Sequence, residues 1–405
     1  MKKILFDFIT LQDNFINGGM LYTQTIFYEI ANRKVVIYGL YDGNLPISET
    51  IKSIMTQYKI NLINIRDENI YETINNLMID TFFIGIAQRY NSFDLSGLKC
   101  RIVIACLDLF DMSLEYFKIK QSEPLKNFVK KHSVNNNGKT NRIKLITKLF
   151  LYPLVLLRRG ILLLFKHYIV KRKNTVSRYA NFKKLIQKSN VFVVTISEYS
   201  KYSVQYFLGN PQNNIGVFYA PISNSSFEGI DNFNRIPIKE RKYFLLVSVN
   251  RDYKNAMLFL EQWEKFCLTT NYEYNCILVG KIKANLKNCI IIDEVKSEEL
   301  AYLYKNAFAL IYPSFAEGFG YPPIEAAMYA TPSICSNVTS IPEICGDMPV
   351  YFSPFYPEDL FRAMIEMVEN REVYVEKTKK RFLEINQKQL QDLEKIVDFI
   401  LGESV

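Results

Sequence analysis

Apolar residues come along the chain in short, β-branched runs, and the stretches between them are amphipathic. Ile4–Ile9 reads as a strand. A loop with Gly18-Gly19 follows, then a helix from Met20 to Ala31 and a strand at Val35–Leu40. Ile60–Ile65, Phe82–Ala87 and Arg101–Leu107 continue the series, and Val191–Ile196 and Ile215–Tyr219 close it. Strands that are apolar almost throughout, rather than alternating, predict a parallel sheet covered on both faces. The polar stretch Asn224–Lys242, with Pro237, reads as a linker. The pattern then restarts with a strand at Tyr243–Val249, a helix at Asn255–Cys267, and strands at Cys276–Val279, Ile290–Ile292 and Ala309–Tyr312. Ser297-Glu298-Glu299 reads as a helix start with serine as the cap, and Pro357-Glu358-Asp359 opens another helix. The charged run Glu372–Leu401 is helical.

The expected fold class is therefore α/β, with two doubly wound Rossmann-like domains in series and a ligand in the crevice between them. The boundaries are 1–222 for the first domain, 223–241 for a linker, 242–385 for the second domain and 386–405 for a C-terminal helix, a candidate to pack back on the first domain.

The most informative segment is Tyr312-Pro313-Ser314-Phe315-Ala316-Glu317-Gly318-Phe319-Gly320-Tyr321-Pro322-Pro323-Ile324-Glu325-Ala326. It follows a strand and precedes a helix. Gly318 and Gly320 let the backbone approach a ligand. Pro322 or Pro323 suits a first helical turn, whose free N–H groups are expected to attract an anion. Glu317 lies before the turn, and Glu325 lies within the helix. Two carboxylates flanking an anion-receptive turn suit a ligand with hydroxyls at both ends and phosphates between them, a nucleotide sugar.

This block closely resembles the retaining glycosyltransferases of family 4 (group 1 type), whose signature is E-G-F-G-x-P-x-x-E-A. The resemblance runs on through Ala330-Thr331-Pro332, Ser336-Asn337, Ser340-Ile341-Pro342-Glu343 and Gly346-Asp347. It also takes in Leu245–Asn255, Ile277–Lys281, Val295–Ala307 and Pro357-Glu358-Asp359-Leu360, which is most of 242–370 in the family's order. It implies a GT-B fold and hexosyl transfer from a nucleotide sugar, with UDP and GDP left open. In that scheme Glu317 binds donor-sugar hydroxyls, and the backbone around Gly318, Phe319, Gly320 and Tyr321 contacts sugar and phosphate. Glu325 holds the ribose hydroxyls. Lys254 matches the family's lysine against the diphosphate, and Arg251 is its candidate partner. Gly18-Gly19 takes the place of the family's glycine-rich first loop, near the donor phosphate. Ser197-Glu198-Tyr199-Ser200 resembles the family's S-E-x-S, with a capping and packing role, and Tyr219-Ala220-Pro221 matches the end of the first domain.

One departure stands out. Where the family often has His-Asp at a strand end, this chain reads Leu107-Asp108. Asp108 remains a candidate for acceptor or sugar contacts, or a strand-end cap. No D-x-D motif stands at a strand end and no metal-ligand cluster is evident, so neither a metal nor another cofactor is expected.

Charge adds a second feature. The 405 residues carry a net +9, but Lys118–Asn190 holds 19 basic residues and one acid, Glu123. That insert is therefore +18 and the remainder −9. It wants a polyanion. Within it, Ile143–Val170 is Leu-rich yet interrupted by Lys148, Pro153, Arg158, Arg159 and Gly160. Its 14 Ile, Leu, Phe or Val residues from Leu145 to Phe165 favour insertion by about 4 to 8 kcal/mol, and each central charge opposes it by up to about 3. A segment lying in the membrane interface is expected rather than a span. Without interleaved stacking aromatics, nucleic acid is not expected as a partner. A helical hairpin packed on the protein's own surface is the alternative.

Both histidines, His132 and His167, lie in the insert, which excludes a histidine triad or histidine metal site in the globular body. Seven cysteines without a C-x-x-C read as thiols of a reducing compartment. The N-terminus has too short an apolar run for a signal peptide. A cytoplasmic enzyme, peripheral on the inner face of the cell membrane, is the expectation. It would transfer sugar to a lipid-linked or membrane-proximal glycan in bacterial surface polysaccharide or glycolipid assembly. A non-catalytic GT-B scaffold and a soluble transferase with a small acceptor are the competing readings.

Overall fold

The computed structural model describes residues 1–12, 18–90, 94–109, 180–211, 213–222 and 241–403. Among these, two parallel sheets form two lobes. The first sheet holds β1 (Lys2–Asp7), β2 (Val35–Tyr41), β3 (Asn61–Asn64), β4 (Thr81–Ile84), β5 (Arg101–Ala105), β6 (Val191–Thr195) and β7 (Gly216–Val217) in the order β3-β2-β1-β4-β5-β6-β7. The second holds β8 (Tyr243–Val247), β9 (Asn275–Val279), β10 (Cys289–Ile292), β11 (Ala309–Tyr312), β12 (Ser333–Ser336) and β13 (Val350–Phe352) in the order β10-β9-β8-β11-β12-β13. Each sheet starts in its middle and reverses direction once, the doubly wound pattern, which opens a crevice at the strand C-termini. The fold is GT-B.

The sequence pattern follows from this burial. In β1, the successive residues Ile4, Leu5 and Phe6 are all fully buried, so neither face is polar. Leu245 and Leu246 of β8 are buried in the same way. The strands begin and end within a few residues of the apolar runs. β7 shrinks to two residues inside Ile215–Tyr219. Two strands escaped the apolar reading, β12 and β13, because one begins and ends on serine and the other has three residues.

The helices that bear on the crevice are α1 (Gly18–Ala31), α2 (Glu198–Leu208), α3 (Ala256–Thr269), α4 (Ser297–Asn306), α5 (Tyr321–Met328), α6 (Ile341–Cys345) and α7 (Pro357–Leu401). The start of α4 corrects the sequence expectation. Ser297 is its first residue, not its cap, and the Glu299 carboxylate accepts from the Lys296 N–H at 2.8 Å instead.

The last helix links the lobes. α7 breaks at Asn370 (φ −123°, ψ 24°). Before the break, Leu360, Met364 and Met367 are buried in the second lobe's core. Just beyond it, Arg371 and Arg381 still hold second-lobe carbonyls, those of Phe308, Ile344 and Glu343, and the helix reaches the first lobe toward its end, where Gln389 donates to the Ala220 carbonyl. Phe399 meets Phe192 and Phe218 at 5.9 and 5.7 Å, and Lys2 Nζ reaches the Leu401 carbonyl. All seven cysteines are free thiols. Of the basic insert, only 180–190 falls within the described residues, so the expected interfacial segment lies outside them, as does nearly all of the expected linker. Among the described residues, no helix is long and apolar enough to cross a membrane.

Candidate active site

A cleft of about 520 Å³ opens between the lobes at the strand ends. It is lined by Gly18, Gly19 and Asp108 from the first lobe, and by Arg251, Lys254, Gly318, Phe319, Gly320, Tyr321, Glu317 and Glu325 from the second. All eleven residues singled out from the sequence thus converge on one space, although they come from four separate segments.

On the second lobe, β8 runs into a short turn that ends at Lys254. The side chain is held inward: its ammonium lies 4.6 Å from the centre of the Tyr312 ring and donates to the Tyr312 hydroxyl at 2.9 Å. It also meets the Glu317 carboxylate at 2.7 Å, and both side chains are about nine-tenths buried. An ion pair this dry stabilises little in itself, but removing one member leaves the other buried without its partner. Ser314 Oγ donates to the same Glu317 oxygen, while Ser340 Oγ holds the Glu317 carbonyl at 3.0 Å. Arg251 sits at the rim and donates to the Tyr253 hydroxyl at 2.9 Å.

The two glycines have different tasks. Gly320 is left-handed (φ 97°, ψ 62°) and turns the chain into α5. Gly318 has no positive φ. A Cβ there would stand 2.2 Å from the Leu107 carbonyl oxygen of the other lobe. Ser197 and Ser200, at the start of α2, donate to the Gly318 carbonyl at 2.6 and 3.2 Å, and Ser200 also donates to the Leu107 carbonyl at 2.9 Å. Two hydroxyls thus fasten the floor of the cleft across the lobe boundary.

The anion-receptive turn needs one correction. Since α5 begins at Tyr321, Pro322 and Pro323 fill its second and third positions. Neither has an N–H. The first turn therefore offers only the Tyr321 amide, not the set of free donors expected from the sequence.

Glu325 lies one turn into α5. The hydroxyl of the buried Tyr304 donates to its Oε2 at 2.7 Å. Burial raises the Glu325 carboxyl above its ordinary value, against Tyr304 and the Lys254 charge, which lower it. Opposite, Gly19 packs against Ile86 and Leu107. The Asp108 carbonyl accepts from Gln88 Nε2 at 2.8 Å. Gln88, Ser248, Tyr253 and Tyr304 also line the cleft but were not picked out as site residues from the sequence. Tyr304 looks there like any aromatic on a core-facing helix, and Gln88 carries no motif.

A further hold joins the lobes beside the cleft. The Glu343 carboxylate, on α6, accepts from the Glu198 and Tyr199 N–H groups at the first turn of α2, at 2.8 and 3.0 Å. One lobe thereby caps a helix of the other. This arrangement presents two cations and three carboxylates to one solvent-accessible space, enough to grip a ligand that is anionic in the middle and hydroxylated at its ends.

Residues 230–389 match the family model described as glycosyl transferases, group 1. Among curated proteins, the chain is similar to O-antigen chain mannosyltransferase RfbU of Salmonella typhimurium, 31% identical over 176 residues, covering 40% of this chain and 46% of that one. It is also similar to O-antigen chain mannosyltransferase B of Escherichia coli, 27% identical over 180 residues, covering 40% and 47%. The match spans about half the length of these relatives. Among solved structures, Alr3699/HepE of Anabaena, in complex with UDP and glucose, shares the fold with a TM-score of 0.66 at 11% identity, over 99% of this chain and 100% of that one.

Proposed function

Taking residues 230–389 as a group 1 glycosyl transferase domain set in a GT-B frame, we propose that the protein is a retaining, family 4 type glycosyltransferase. It moves a hexosyl group from a nucleotide sugar to a lipid-linked or membrane-proximal glycan in bacterial surface polysaccharide or glycolipid assembly. The observation that carries this reading is the Lys254–Glu317 contact at 2.7 Å within the cleft that also receives Glu325. Lys254 and Arg251 face the donor diphosphate, Glu317 the sugar hydroxyls and Glu325 the ribose, with Gly18 and Gly19 closing over the phosphates. As the glycosidic C–O bond breaks, its electron pair goes to the phosphate oxygen, and the two protein cations stabilise that charge without a metal ion. In a front-face transfer, the acceptor hydroxyl attacks from the same side and gives its proton to that oxygen, so no imidazole is needed where Leu107 stands. Asp108 faces the acceptor. The similarity to O-antigen mannosyltransferases puts a mannosyl donor first in line.

Turnover of UDP- and GDP-sugars, read as nucleoside diphosphate release with and without EDTA, tests this. Activity should survive EDTA and fall by about 10²–10³ in Lys254→Ala and at least as far in Glu317→Gln. Wild-type rates in both variants would reject the site. The basic insert supports a cytoplasmic location, peripheral on the inner face of the membrane. Neutralising Lys171, Arg172 and Lys173 should then release the protein from vesicles containing anionic lipid. Leu107 is the observation that favours the competing reading, a catalytically silent scaffold. Any donor turnover by the wild type removes that reading.

A further inference from the structure

Glu325 does not orient itself. It is carried on α5 with one carboxylate oxygen, Oε2, engaged by the Tyr304 hydroxyl, while among the described residues Oε1 has no partner. Tyr304 comes from a different helix, α4, and is fully buried. That part of α4 is itself pinned from two sides. Thr331 Oγ1 donates to the Tyr304 carbonyl at 2.7 Å, and the Tyr243 hydroxyl donates to the neighbouring Leu303 carbonyl at 2.8 Å. A ring fixed in this way has one position for its hydroxyl, so the carboxylate it holds has one orientation. A side chain ordered before the ligand arrives loses less entropy on binding.

We propose that Tyr304 is a positioning residue for the donor nucleotide, holding Glu325 with its free oxygen turned to the ribose diol. This rests on the reading of Glu325 in the preceding subsection and goes beyond it by naming what makes that carboxylate competent. Tyr304 itself touches no reacting atom. The bland account is that its hydroxyl needs a partner in the core and found one. The two accounts differ in a measurable way, because only the first makes the tyrosine hydroxyl matter to the ribose hydroxyls.

The test uses the full-length protein with UDP and GDP, each alongside its 2′,3′-dideoxy counterpart, and calorimetric affinities. Tyr304→Phe keeps the ring and removes one oxygen, and circular dichroism checks the fold. The variant should bind the better ribonucleotide about 3–10-fold more weakly, the effect of one hydrogen bond, and bind the dideoxy form as the wild type does. Glu325→Gln should show the same selective loss. A pH series adds an independent readout. Removing a hydrogen bond that lowers the Glu325 pKa moves the carboxyl higher still. The acid limb of ribonucleotide binding in Tyr304→Phe should therefore move to higher pH. The other groups that act on Glu325, namely Lys254, Tyr321 and Tyr329, are unchanged in that comparison. Equal losses for ribo and dideoxy ligands in Tyr304→Phe, or no loss for either, would overturn the inference while Glu325→Gln still discriminates. If Glu325→Gln fails to discriminate as well, or the wild type binds neither nucleotide, the underlying reading falls with it.

Discussion

Gly318 and Gly320 stand two residues apart, and alanine at each should fail for a different reason. At Gly320 the obstacle is the backbone itself: φ is 97° and the nearest atom to a new Cβ is 3.7 Å away. A left-handed non-glycine residue costs about 1–2 kcal/mol, confined here to the second lobe. At Gly318 the backbone accepts alanine, but the Cβ would stand 2.2 Å from the Leu107 carbonyl oxygen and 3.0 Å from Asp108 Cβ. Ordinary contact begins near 3.4 Å, so the lobes must part by about 1 Å. Overpacking costs about 1–3 kcal/mol, and the strained hydroxyl bonds from Ser197 and Ser200 about 1 kcal/mol each. A total of about 3–5 kcal/mol weights the equilibrium against the closed arrangement by about 10²-fold or more. Spin labels on β3 and β13, read by double electron–electron resonance, should show a longer and broader inter-lobe distance in Gly318→Ala. In Gly320→Ala that distance should stay unchanged, although the melting temperature falls. Donor turnover should drop further in Gly318→Ala than nucleoside diphosphate affinity does. If Gly318→Ala kept wild-type distances and turnover, the backbone contact between the lobes would not exist in solution and the account of the cleft floor would be wrong.

Lys254→Ala strands a buried Glu317 carboxylate and should lower stability by about 3–5 kcal/mol; the double variant with Glu317→Gln should recover much of that in a denaturant titration while staying inactive. Glu343→Ala uncaps α2 from across the lobe boundary and should cost about 1 kcal/mol of stability, with the affinity for UDP or GDP unchanged by calorimetry. Asp42 is held low chiefly by the two hydrogen bonds from Arg66, at 2.9 and 2.6 Å. Its folded pKa lies below the ordinary 3.8, so its contribution is present above that value and lost as pH falls through the folded one. The difference in melting temperature between wild type and Asp42→Asn should therefore be full at neutral pH and close on acidification below about pH 4.

What the chain disclosed about its fold depended on how each strand is buried. β1, β8 and β11 sit mid-sheet, covered on both faces, and their apolar runs stand out without help from neighbours. β12 is just as buried, yet it reads Ser-Ile-Cys-Ser: Ser336 donates to the Ser314 carbonyl of the adjacent β11–α5 loop rather than to solvent, while the Ser333 hydroxyl has no partner among the described residues. A polar residue satisfied by a loop 22 positions away leaves no local signature. The same holds for the inter-lobe bonds. Ser197 and Gly318 are 121 residues apart, and Glu198 and Glu343 145 apart. Each has a sensible local task, capping or turning, and the second task appears only when the lobes meet. α7 shows the limit from the other side. Its helical pattern is plain, but its break falls at Asn370, one residue whose backbone leaves the helix and whose neighbours look helical on both sides.

The site itself was legible where side chains act within one segment, and misleading where the backbone was asked to act. Glu317, Gly318, Gly320 and Glu325 are close in sequence because a strand–turn–helix unit must place them together. The sequence pattern predicts amide donors in the first turn of α5, and the two prolines that mark the helix start are the residues that remove them. On the proposed reading, a donor phosphate would meet one first-turn N–H instead of three, and the missing attraction would come from the charge of Lys254. That lysine is the buried cation of the cleft, held in place by Tyr312 and electrostatically linked to both Glu317 and Glu325. On that reading the prolines and the lysine are two halves of one arrangement. Replacing Pro322 and Pro323 by alanine restores two amides at the cost of a less rigid helix start. It should therefore soften the loss of nucleoside diphosphate affinity caused by Lys254→Ala. Calorimetry on the triple variant against Lys254→Ala alone decides it: equal affinities would mean that the helix start takes no part in binding phosphate.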